Sequence, residues 1–298
     1  MNPQHLPRPI HSLAIILSGA ANFFLGISSL YWKELGEVSS MTLVAYRITL
    51  SAITLTLFVV FFRQAKKTTK VTLKSIHLHC IASLLIAINW GAFIWSSING
   101  YLLESGLGYL LAPFVSIVLG SIVYHEPISL RSAISAIVAF GSVVALIIYT
   151  NDLNHFTYLS IATAWGLYTY IKKSTLLDSV NGLLIETLFL TGCLTVATVA
   201  FNLPITYPNE LPNKLIWLAG AVSIAPLLML SYSTGKMPLS LTGFLQLILP
   251  ITLITISIFS NTQQISDTPL TLTLITTGIL ISLITYDIST SQRQKKDI

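Results

Sequence analysis

Charge is what this 298-residue chain has least of: Asp, Glu, Lys and Arg make up 9% of it, against about a quarter in soluble domains. That shortage excludes an ordinary water-soluble fold. Cysteine is equally scarce, with Cys80 and Cys193 alone, each in an apolar stretch. They read as reduced packing residues and say little about redox compartment. Catalytic signatures are missing too. His125-Glu126 opens like a zinc-protease motif, but position 129 is Ser129, so the second histidine at i+4 is absent. Gly106-Leu107-Gly108 ends in Tyr109 where an intramembrane aspartyl protease needs its acid. There is no Gly-x-Ser-x-Gly elbow and no phosphate-loop lysine. His77 and His79, two residues apart on a helix, point to different faces. No enzyme, metal or cofactor is expected.

What the chain does have is apolar length. With 53% hydrophobic residues and a mean hydropathy of +0.77 it reads as a membrane protein. The first apolar run, from Ile10 to about Trp32, carries no cleavage signature and reads as a first span, not a signal peptide. Runs of roughly 20 mostly uncharged residues number ten: 10–32, 41–62, 76–98, 105–124, 131–149, 156–172, 181–202, 213–234, 238–260 and 269–287. They consume the chain and leave no room for a soluble domain.

Basic residues resist translocation, so they mark the cytoplasmic side. With both termini inside, thirteen of the sixteen Lys and Arg fall there: Arg8, Arg63, Lys66, Lys67, Lys70, Lys74, Arg131, Lys172, Lys173, Lys236, Arg293, Lys295 and Lys296. Only Lys33 and Lys214 fall outside, and Arg47 lies within a span. Topology thus accounts for the net charge of +5, and no nucleic-acid partner is expected. The Arg63 to Lys74 loop could touch anionic headgroups, but it reads first as a solvated topology signal.

The chain also repeats itself. Sliding residues 106–149 forward by 137 positions pairs Gly106 with Gly243, Pro113 with Pro250, Gly141 with Gly278 and Tyr149 with Tyr286, ten identities in 44. The match relates spans four and five to spans nine and ten. An odd offset of five helices reverses direction across the membrane, which makes the halves an inverted pair. Secondary transporters use that arrangement because two antiparallel halves can open alternately around a fixed central site.

Asn89-Trp90, Phe93-Ile94-Trp95, Leu103-Glu104-Ser105, Leu107-Gly108-Tyr109, Pro113 and Glu126 resemble the RarD branch of the EamA-type drug/metabolite transporters. Leu184-Ile185-Glu186-Thr187-Leu188, Ala225-Pro226-Leu227 and Leu239 to Phe244 with Gln246 and Pro250 continue the likeness nearly end to end. The resemblance implies ten helices in two inverted halves, a central cavity and transport of small metabolites. One departure stands out: Glu126 lies thirteen residues after Pro113, but Gln263 replaces the matching acid after Pro250. A role for symmetric acids at both loops is therefore in doubt.

Polar and aromatic groups inside apolar spans need a cavity or a neighbouring helix. The expected substrate-binding residues are Asn89, Trp90, Phe93, Tyr109, Trp165, Tyr168, Glu186, Tyr232, Phe244 and Gln246. An aromatic wall with a few amides suits a flat or amphipathic molecule. The same side chains also read as interface anchors or interhelical glue. Gly108, Ala112, Ser116 and Gly120 recur every four residues as a smooth packing ridge. Pro113 and Pro250 are candidate hinges, or static kinks. Arg47 and Glu186 lie roughly 9 Å from opposite membrane edges, too far apart to pair. Arg47 is a candidate charge anchor for a carboxylate, Glu186 for an ammonium group or a coupling proton, and structural satisfaction is the other reading for both.

The expectation is an all-α integral membrane protein of ten transmembrane helices in two inverted five-helix repeats, 10–149 and 156–287. Tails 1–9 and 288–298 are cytoplasmic, and the membrane is the bacterial cytoplasmic (inner) one. The expected function is secondary active transport by alternating access of a small amphipathic metabolite, such as an amino acid or an S-adenosylmethionine-like compound. Efflux of drugs or toxic metabolites, or a passive channel, are the other readings. Expected partners are the substrate, the lipid bilayer, and a coupling proton or exchanged metabolite.

Overall fold

The structure is a computed structural model that describes residues 12–62, 72–124, 130–150, 153–173, 175, 177, 179–234, 245–260, 278 and 282. Among these residues there are nine α-helices and no strand. They are α1 (Ser12–Glu34), α2 (Ser40–Phe62), α3 (Leu73–Asn99), α4 (Leu102–Tyr124), α5 (Leu130–Tyr149), α6 (His155–Lys173), α7 (Ser179–Phe201), α8 (Ala219–Thr234) and α9 (Ile248–Phe259). Each falls on one of the first nine apolar runs. The tenth run, 269–287, lies outside the described residues except for positions 278 and 282, as do both tails and Phe244. By length and composition, four described helices can cross a membrane: Leu13–Glu34, Ser40–Phe62, Leu73–Asn99 and Val180–Phe201.

Short polar side chains start these helices by taking backbone N–H groups that have no partner within the first turn. Thr72 accepts from Ser75 N at 3.2 Å to open α3, and Asn154 accepts from Thr157 N at 3.1 Å to open α6. Gly100, at φ 83°, ends α3 in a left-handed turn that a side chain would strain, and the chain doubles back into α4. The α9 region shows what a proline does. Helix is interrupted at Leu247 and resumes at Ile248, and Pro250 has no N–H to bond back to Gln246. α4 runs through Pro113 without a break.

The bundle is apolar outside and buries polar and charged side chains among the apolar ones within. Phe61 and Phe62 on α2, Val199 and Phe201 on α7 and Ile16 on α1 are exposed, while Arg47, His79, Asn89, Glu104 and Glu186 are buried. In water such an arrangement would be unstable, but in lipid it is the favourable one.

The tightest pairing is α4 on α6. A Cβ built on Gly108 would lie 2.8 Å from Ile161 Cβ, and one on Gly166 would lie 3.0 Å from the Ala112 carbonyl oxygen. The Gly108 and Ala112 part of the expected ridge therefore seats α6. α3 also packs on α6, α2 on α7 and α8, α3 on α7, α1 on α8 and α9, and α4 on α9. Six of these contacts form three exchangeable pairs. Swapping α1 to α4 with α6 to α9 in order turns α4/α6 into α1/α9, α3/α6 into α1/α8 and α2/α8 into α3/α7.

Candidate functional site

One cavity lies where seven helices converge. Leu25 comes from α1, Arg47 from α2, Asn89, Trp90 and Phe93 from α3, Tyr109 from α4, Trp165 from α6, Leu227 from α8 and Leu249 from α9. Its free space is about 20 Å³, room for roughly one water. Ligand sites for small molecules hold several hundred cubic ångströms, so the walls are drawn together here.

Helical spacing builds the wall. Asn89 and Phe93 are four residues apart on one face of α3, with Trp90 beside them. Because α4 returns antiparallel after Gly100, Tyr109 lies opposite that face. Its hydroxyl donates to Asn89 Oδ1 at 3.0 Å, and its ring meets Phe93 edge-on at 6.1 Å. On the other side Tyr109 meets Trp165 edge-on at 5.8 Å. Near the α3–α4 turn the hydroxyls of Ser96 and Ser105 bond to each other.

Arg47 closes the cavity from α2. Its guanidinium lies 4.3 Å from the ring centre of Trp90 and 5.1 Å from that of Trp32. Indole faces attract a cation but accept no conventional hydrogen bond from it. Among the described residues, Arg47 Nε and Nη1 are buried without a hydrogen-bond partner, and so are Asn89 Nδ2 and Trp32 Nε1. All four atoms are donors. Among the described residues, no acidic side chain lines the cavity.

A second polar cluster joins α3, α6 and α7. Glu186 Oε1 takes His79 Nδ1 at 2.6 Å and Lys172 Nζ at 2.8 Å, and Oε2 accepts from the Tyr168 hydroxyl at 3.1 Å. His79 and Glu186 are fully buried, and among the described residues His79 Nε2 has no partner. Gly182 makes the room, since a Cβ there would lie 2.7 Å from His79 Cε1. Tyr168 links the two regions, because its ring stacks on Trp165 at 5.5 Å.

The structure thus gathers Asn89, Trp90, Phe93, Tyr109 and Trp165 around one cavity together with Arg47. Tyr168 and Glu186 sit outside the lining, in the second cluster. Tyr232 is exposed on α8, Gln246 is half-buried beyond the lining, and Phe244 is outside the described residues. Pro250 is buried in the first turn of α9, one residue after the lining Leu249. Sequence reasoning missed Leu25, Leu227 and Leu249, which carry no signal in an apolar chain. It also missed Trp32, His79 and Lys172. A buried acid requires partners, and His79, ten residues before Asn89 on α3, was the available signal for one of them.

Residues 12–148 match the EamA-like transporter family. The uncharacterized transporter YojE of Bacillus subtilis is 29% identical, covering 85% of this chain and 87% of its own. Protein RarD of Escherichia coli is 28% identical, covering 79% and 81%. A chloramphenicol-sensitive protein RarD of Pseudomonas aeruginosa is 25% identical, covering 90% and 94%. A solved crystal structure superposes with a TM-score of 0.60 at 15% identity, covering 91% of this chain and 96% of that one, and so shares the fold.

Proposed function

The chain belongs to the EamA-type transporters as a RarD-like member, a multi-pass membrane protein and not an enzyme, and from that premise we propose alternating access around the Arg47 cavity. In this reading ten helices form two inverted five-helix repeats, 10–149 and 156–287. The cargo is a small amphipathic metabolite in the range from amino acids to adenosyl amino acids. Transport crosses the cytoplasmic membrane with both termini inside.

The observation that carries the proposal is the convergence of α1, α2, α3, α4, α6, α8 and α9 on one buried, aromatic, partly polar cavity. Both proposed repeats contribute walls. The exchangeable packing pairs are what two-fold related repeats produce, and together with the odd offset of five helices they support the inverted architecture. A cavity of about 20 Å³ fits a contracted state, and admitting cargo requires the repeats to move apart. The helix break beside Pro250 offers one place for that motion, with Pro113 as its counterpart on α4. Glu186 is already held by three side chains, which favours a structural or proton-linked role over direct contact with cargo.

Counterflow of radiolabelled amino acids and adenosyl compounds in proteoliposomes, with and without a pH gradient, tests this reading. The expected result is saturable exchange that weakens in Trp90→Ala and Tyr109→Ala. Ohmic current through a continuously open pore would replace the carrier with a channel. Absence of exchange for the whole panel would end the proposal.

A further inference from the structure

Resting on the carrier reading above, we propose that Arg47 and Asn89 form a subsite for the carboxylate of the cargo. By this subsite the carrier selects molecules that bear a carboxylate over carboxamide and amine analogues of the same shape.

The argument starts from unmet hydrogen bonds. Buried polar groups in folded proteins nearly always have partners, because leaving one unmade forfeits the bond it had with water. Arg47 breaks that rule on two of its three nitrogens, and Asn89 breaks it on its amide nitrogen. Both side chains are almost fully buried, at 3% and 1% exposed, and both line the same cavity. The two lapses have one sign, since each offers protons and neither offers a lone pair. Asn89 is held this way by Tyr109, whose hydroxyl occupies Oδ1 and leaves Nδ2 to donate.

Charge narrows the ligand further. Among the described residues, Arg47 is the one charged side chain of the lining, and no carboxylate offsets it there. Trp32 and Trp90 hold the guanidinium in place without neutralising it. A single anionic group would supply both the missing charge and the missing acceptors. A planar carboxylate matches a planar guanidinium, and a dianionic phosphate would leave one charge uncompensated in lipid. The rest of the wall, Phe93, Tyr109 and Trp165, suits an aromatic or apolar body. An ammonium group meets no acid among the described lining residues, so the free amine of an amino acid adds little here.

The test is a charge series on one scaffold, read by tryptophan fluorescence of the full chain in nanodiscs. The probes are 3-phenylpropionate, phenylalanine, 3-phenylpropanamide and phenethylamine. The proposal expects 3-phenylpropionate to bind at least as tightly as phenylalanine, and at least 10-fold more tightly than the amide or the amine. In Arg47→Gln the preference falls below 2-fold, Arg47→Lys retains part of it, and Asn89→Leu weakens the carboxylate alone. Should Arg47→Gln fail to fold, the wild-type series and Arg47→Lys decide. Amide or amine binding within 2-fold of the carboxylate, a preference that survives Arg47→Gln, or no binding by any probe would overturn the subsite. Counterflow without charge preference leaves the carrier standing and removes this inference, whereas a carboxylate preference without counterflow does the reverse.

Discussion

Two buried ionisable groups in this protein are treated in opposite ways. Glu186 on α7 is met by a lysine, a histidine and a phenol, so both of its oxygens are used. Arg47 on α2 is met by two indole faces, and two of its nitrogens have no acceptor among the described residues. Each is the eighth residue of its helix, about 10 Å from the helix start. Depth therefore does not separate them; satisfaction does. A charge that ties helices together is saturated from within the protein. A charge left short of acceptors beside a cavity is available to something from outside.

The comparison breaks most sharply at the saturated end. Glu186→Ala strands the Lys172 ammonium, the His79 imidazole and the Tyr168 hydroxyl between α3, α6 and α7. It should destabilise the fold by about 3–5 kcal/mol, as removing one partner of a buried pair does. Thermal unfolding in detergent measures this, and the charge preference of the cavity in surviving protein should be unchanged. Loss of that preference with normal stability would mean Glu186 belongs to the binding site.

Gly108→Leu on α4 pushes against α6, a helix both regions share. A side chain there meets Ile161 and the Tyr158 carbonyl oxygen at under 3 Å, so α4 must separate from α6. Overpacking of this kind costs about 1–3 kcal/mol. Because α4 carries Tyr109 and α6 carries Trp165 and Tyr168, both stability and ligand affinity should fall. A variant with normal melting and normal affinity would show that the seam is looser than its geometry implies.

Arg47→Met has the opposite sign. Exchanging an uncompensated buried cation for an apolar side chain should raise stability by about 1 kcal/mol, since such replacements are often neutral or stabilising. Carboxylate binding is lost in the same step. Tyr109→Phe is the smallest change, removing one hydroxyl and freeing Asn89 to reorient. Carboxylate affinity should drop a few-fold, about 0.5–1.5 kcal/mol for one hydrogen bond, with little effect on amide affinity.

Much of the cavity was legible in the sequence because its polar and aromatic side chains are anomalies in an apolar chain. Asn89, Trp90, Phe93 and Tyr109 sit within 21 residues of one another and end up on one wall. Trp165 was identified by the same reasoning. Leu25, Leu227 and Leu249 were not, since a leucine facing a cavity and a leucine facing lipid look alike in sequence. The Glu186 cluster was hidden for a different reason: His79 is 107 residues from its partner, and local spacing carries no information about such a contact. Arg47 was visible as a charge within a span, but its neighbour Trp32 read only as the end of the first apolar run.

The most direct measurement is the melting temperature of the wild-type chain and Arg47→Met in detergent, each with and without saturating 3-phenylpropionate. The account predicts that the variant melts higher than wild type without ligand and gains nothing from the carboxylate, while wild type is stabilised by it. A variant that melts lower and is still stabilised as wild type is would contradict it.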